Sequence, residues 1–133
     1  MTNKELIKLA ASVVHSKKVG DFTSGDVGCA LISENNNVYT GVCIDTSSSM
    51  GFCAEHNAIG SMVTKGEYKI KKIVAIWKDE KNGDVCVLHP CGRCREFMRQ
   101  LNQDNMEAEV ILGKDKAVKL KDLLPYEDDF SKV

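Results

Sequence analysis

Ile73-Val74-Ala75-Ile76-Trp77 is an unbroken apolar run, the pattern of a strand covered on both faces. Such a strand needs a layer on each side, so the rest of the chain must supply two flanks. Thr2 with Glu5 reads as a capping box. It opens a helix in which Leu6, Leu9, Ala10, Val13 and Val14 recur at helical spacing, ending near Lys18-Val19-Gly20. Val27 to Ser33 and Val38 to Asp45 read as a hairpin around the polar Glu34-Asn35-Asn36-Asn37. Thr46 to Phe52 is a polar loop that can rim a pocket, and from Cys53 a second helix carries Ala54, Ala58, Ile59, Met62 and Val63 until Lys65-Gly66. After the charged turn Lys78 to Asp84 comes a strand, Val85 to Leu88, and then a third helix on Cys94, Phe97, Met98 and Leu101. Val110-Ile111-Leu112 adds a strand, and Leu120 to Leu124 a short helix stopped by Pro125. This alternation predicts an α/β chain: a three-layer α/β/α domain over residues 1–133 with a mixed, roughly five-stranded sheet.

A net charge of −1 and an isoelectric point near 6.3 give no global drive toward nucleic acid or an anionic membrane. No apolar run approaches the roughly 20 residues that span a bilayer, and Met1 to Glu5 lacks the apolar centre of a secretion signal, so a cytoplasmic location is expected. Six cysteines in such a chain are better explained as ligands, nucleophiles or small buried residues than as a disulfide framework. Cys29 and Cys86, in predicted strands, are expected in the core, as is Trp77; Cys43 is expected in core or pocket.

The chemistry concentrates in Pro90-Cys91-Gly92-Arg93-Cys94-Arg95-Glu96 and Cys53-Ala54-Glu55-His56, both at predicted helix starts. Residues three apart on a first helical turn share a face, so Cys91 and Cys94 aim at one point, and Cys53 supplies a third thiol. Three thiolates suit zinc with a fourth position left to water. Helix N-termini and the side chains of His56 or Arg95 would offset the negative charge of the cluster, and Glu55 would move a proton. A redox pair, or a purely structural zinc closed by His56, Cys86 or His89, is the alternative that a CxxC spacing leaves open.

Cys53-Ala54-Glu55 together with Pro90-Cys91-Gly92-Arg93-Cys94-Arg95-Glu96 resembles the signature of the cytidine deaminase family, in its small free-nucleoside branch that includes blasticidin S deaminases. Val27 to Leu31 is similar to that family's first strand and Leu123-Leu124-Pro125 to its ending. The resemblance implies Zn2+ held by Cys53, Cys91 and Cys94, and Glu55 as proton shuttle for hydrolysis at C4 of a cytosine ring with loss of ammonia. It further implies that the backbone at Ala54 and Cys91 helps hold the ring, that the His89 carbonyl lies near the leaving amine, and that the partner is a small nucleoside met by a homotetramer. The family's ribose-binding Asn-x-Glu is here Cys43-Ile44-Asp45, its aromatic two residues before Val27 is Gly25, with Phe22 as a possible substitute, and its basic residue after the catalytic glutamate is His56. These departures leave cytidine, deoxycytidine and blasticidin S as candidate substrates, with pyrimidine salvage or drug inactivation as the setting. In the small deaminases a C-terminal aromatic can reach a neighbouring subunit's pocket; Phe130 stands where that residue would be, with a frayed tail as the alternative.

Overall fold

The computed structural model describes residues 1–127 and 130–133. Helix α1 spans Asn3–Ser12, and the capping box is formed: the Thr2 side chain accepts from the Glu5 N–H while the Glu5 carboxylate accepts from the Thr2 N–H. Two short strands follow, β1 (Lys17–Val19) and β2 (Phe22–Ser24), paired antiparallel. The predicted helix thus stops earlier than expected. Gly20-Asp21 between Val19 and Phe22 is a two-residue hairpin loop, a turn chemistry that outweighs the weak helical pattern of residues 13–18.

The main sheet contains β3 (Val27–Ser33), β4 (Val38–Val42), β5 (Ile70–Lys78), β6 (Val85–Leu88), β7 (Glu109–Gly113) and β8 (Lys116–Lys119). β5 is its centre. One edge of β5 pairs antiparallel with β3. The other is divided between β6, antiparallel over Ala75↔Leu88 to Lys78↔Val85, and β7, parallel over Lys72↔Glu109 and Ile73↔Val110. The sheet is mixed, as expected, with six strands in place of the predicted five, because Lys116–Lys119 folds back on β7. Helices α2 (Ala54–Thr64) and α3 (Gly92–Leu101) complete the architecture.

Alternation along the strands sorts the core onto two faces. Ala30, Ile32, Val74 and Ile76 meet Leu6 and Ala10 of α1 on one face. Cys29, Leu31, Ile73 and Val110 meet Ala58, Ile59, Met62 and Met98 from α2 and α3 on the other. This is the three-layer arrangement. Close approach of α2 to the sheet depends on Gly41, where a Cβ would fall 2.5 Å from the Ala58 nitrogen. The Asn57 amide ties the same helix to the end of β4 by donating to the Val42 carbonyl at 3.0 Å.

Trp77 and Cys86 depart from expectation. They face each other in register past Ile76, the last buried residue of β5, and both are exposed. Cys29 is fully buried. Among the described residues no helix is long and apolar enough to cross a membrane.

Candidate active site

Two helices begin at the same place. Cys53 is the N-cap of α2 and Cys91 the N-cap of α3, and both have extended backbone. Their sulfurs converge on a common centre. Sγ of Cys53 and Sγ of Cys91 lie 3.6 Å apart, and with the buried Cys94 the three sulfurs fall within 4.8 Å of one another. A tetrahedral zinc with bonds of about 2.3 Å separates its sulfurs by about 3.8 Å, so the donor set has the spacing and chemistry of a zinc site. The N–H groups at both helix starts favour the thiolate form.

The thiols differ in how readily they ionise without metal. Burial pushes Cys94 far up, with the nearby Glu55 carboxylate adding to the effect. Burial also raises Cys53, helped by its hydrogen bond with Cys91. At Cys91 burial acts in the same direction but is outweighed by hydrogen bonds from Cys94 and the Arg93 backbone, so this thiol is pulled down. The site thus contains one thiol whose ionisation is eased and two whose ionisation burial opposes.

Glu55 follows Cys53 on the first turn of α2 and is 5% exposed. Its burial raises the carboxyl above the usual range, which suits a group that must accept and return a proton. Nδ1 of His56 is 3.3 Å from the Cys94 sulfur, and its ring is stacked on Phe97 with centroids 4.3 Å apart. Burial, with the Arg93 charge in addition, lowers His56 and favours the neutral imidazole. Arg95 donates from Nε to the Pro90 carbonyl at 2.8 Å and from Nη1 to the Leu123 carbonyl at 3.4 Å, bracing the turn that carries Cys91.

A cleft of about 560 Å³ opens over this centre. Cys53, Glu55, Cys91, Ala54, His89, Cys43 and Asp45 all line it. Of the predicted metal, catalytic, substrate and supporting residues, Cys94, His56 and Arg95 are outside its lining. Asp26, Phe52 and Arg93 also line it. Phe52 supplies an aromatic wall, while Phe22 lies out on the small hairpin, 41% exposed. Gly25 cannot take an aromatic as built: its φ is +86°, and a Cβ there would fall 2.3 Å from the His15 carbonyl oxygen. Nothing in the local sequence marks Asp26, whose place is set by its approach to Cys43, 17 residues later.

Comparison with known proteins agrees with this geometry. The family described as "Cytidine and deoxycytidylate deaminase zinc-binding region" matches residues 1–109. A cytidine deaminase of Mycoplasma genitalium is 33% identical over 101 residues, 75% of this chain and 74% of that protein. A blasticidin-S deaminase of Bacillus cereus is 30% identical over 103 residues, 74% of each. The fold is that of the cytidine deaminase from Mycobacterium leprae, whose crystal structure superposes with a TM-score of 0.74 over 94% of this chain and 99% of that one at 24% identity. The chain belongs to the cytidine and deoxycytidylate deaminase family and is a hydrolytic deaminase carrying that family's zinc-binding region.

Proposed function

We propose that this protein removes the 4-amino group from the cytosine ring of a free nucleoside, cytidine or deoxycytidine, releasing ammonia and the uracil form. The observation that carries the reading is a buried Glu55 beside three converging thiols, with Glu55, Cys53 and Cys91 lining a cleft of about 560 Å³. Cys53, Cys91 and Cys94 hold the metal in this reading. When bound, zinc supplies Lewis acidity that lowers the pKa of a water molecule. Glu55 takes a proton from the attacking water and delivers it to the departing amino nitrogen, a transfer favoured by its raised carboxyl. Ala54 and the His89 carbonyl position the ring, and Cys43 and Asp45 face the sugar. His56 steadies Cys94, and Arg95 steadies the Pro90 turn.

A second reading, a blasticidin S-type deaminase, is favoured by the sugar end of the cleft, where a thiol stands in place of an amide at Cys43. The same ring chemistry serves both. We further infer one catalytic domain over residues 1–133, a homotetramer in the cytoplasm, and a place in pyrimidine salvage for the first reading; Phe130, 89% exposed, is available to a neighbouring subunit. Ammonia release measured with zinc-loaded protein on cytidine, deoxycytidine, cytosine and blasticidin S tests the proposal. Turnover of a nucleoside and not of free cytosine supports it; no ammonia from any of the four contradicts it. Light scattering reads the assembly, with four copies expected.

A further inference from the structure

The cleft draws its lining from two neighbouring elements: Cys43, directly after the end of β4, and Cys53, Ala54 and Glu55 at the start of α2. Residues 45–51 between them form a loop with Ser48 and Ser49 at φ +56° and +57°. The ends of this loop are already joined, because Ile44 and Phe52 exchange backbone hydrogen bonds of 3.0 and 2.9 Å. The loop therefore does not set how far Glu55 stands from Cys43. Contacts between α2 and β4 do.

One of these contacts is a side chain meeting an edge carbonyl. β4 is the edge strand of the sheet, paired with β3 alone. The Cys43 N–H donates to the Val27 carbonyl at 3.0 Å, so this peptide's N–H points toward β3. In a trans peptide the carbonyl points the opposite way, which turns the Val42 oxygen to the open edge. Asn57 supplies the missing donor there, its Nδ2 lying 3.0 Å from that oxygen. The Asn57 backbone N–H donates in turn to the carbonyl of Cys53 at 3.3 Å. A single residue thus connects the cap that carries a thiol of the metal site to the peptide that carries Cys43. Asn57 is outside the lining of the cleft and acts only through these neighbours.

We propose that Asn57 is a positioning residue for the deamination: by holding α2 to the end of β4 it fixes Glu55 relative to the wall at Cys43, so that a nucleoside gripped on its sugar side presents its ring squarely to the proton shuttle. The inference rests on the deaminase reading above for the orientation of the ring. With the tie removed, ring and sugar can each still be bound, but no longer in one geometry that serves the proton transfer. Loss of this kind falls on kcat more than on KM.

Asn57→Ala removes the donor, and Asn57→Asp replaces it with an oxygen in a side chain of the same size. An acidic group in the early turns of a helix favours the helix, so the second change loosens the tie without weakening α2. Steady-state kinetics on cytidine and deoxycytidine, with zinc measured on the same preparations and well below the unfolding temperature, should show kcat per zinc lowered about tenfold in both variants, with KM changed less than about threefold. Gly41→Ala presses α2 outward by an independent route, since the added Cβ would fall 2.5 Å from the Ala58 nitrogen, and should lower kcat per zinc in the same direction. A clamp that served stability alone would lower the unfolding temperature and leave kcat per zinc as it was. Unchanged kcat per zinc in both Asn57 variants, beside an active native protein, overturns the inference alone. Native zinc-loaded protein that releases no ammonia from either nucleoside overturns the deaminase reading and the inference with it.

Discussion

The sulfur of Cys94 lies 3.3 Å from Nδ1 of His56. The imidazole is held there by its stack on Phe97, with an interplanar angle of 7°, and burial keeps it neutral, so Nδ1–H can donate to a thiolate without adding charge. A hydrogen bond to a ligating sulfur steadies the sulfur and moderates its basicity. Replacing His56 by Ala should lower zinc affinity by about 10- to 100-fold, measured by competition with a chelator. Phe97→Leu, which keeps bulk but removes the stack, should move affinity in the same direction by a smaller factor. Unchanged affinity in both variants would show that the contact does not bear on the metal.

The uneven thiols give zinc binding a pH dependence whose sign is fixed. With Cys94 and Cys53 raised by burial, both are protonated near neutrality in the metal-free protein and must lose those protons to ligate. Affinity should therefore rise with pH, with about two to three protons released per zinc at pH 7, as read by titration in buffers of different ionisation enthalpy. Cys91 contributes least, since its thiol is already pulled down. Proton release near zero would contradict this description of the site.

Asn105 links α3 to β5. It is fully buried; its Oδ1 accepts from the Ile70 N–H at 2.7 Å, and its Nδ2 donates to the Met98 carbonyl at 2.9 Å and the Tyr68 carbonyl at 3.3 Å. The end of α3 is thereby fastened to the start of β5. Asn105→Leu, close in volume, should leave three backbone groups without their partner and cost about 2–4 kcal/mol in denaturant unfolding. A change below about 0.5 kcal/mol would mean that the backbone groups find other partners.

The features legible in the sequence are those governed by local pattern. The Ile73–Ile76 run is buried at the centre of the sheet, and the Thr2–Glu5 box forms where it was expected. The two thiol stretches were legible because a ligand spacing of three residues at a helix start carries its own geometry, and helix boundaries fall one residue after Cys53 and after Cys91. Less legible was structure that depends on the end of a layer or on pairing. Trp77 continues an apolar run but lies past its last buried residue, Ile76, and is exposed, and Lys116–Lys119 becomes a strand through pairing with β7 in spite of its two lysines. The hairpin at residues 17–24 did carry a signal, Gly20-Asp21, which the preceding helical pattern obscured. Asp26 carried none, since its meaning arises only when β4 brings Cys43 beside it.

The central claim is that Glu55 moves the proton while the three thiols hold the metal, and a single paired measurement separates the two roles. Zinc content and ammonia release from cytidine are determined on the same preparations of the native protein and Glu55→Gln. One zinc per chain is expected in both, with turnover about 10²- to 10⁴-fold lower in the variant. Equal turnover in the two, with zinc retained, would contradict it.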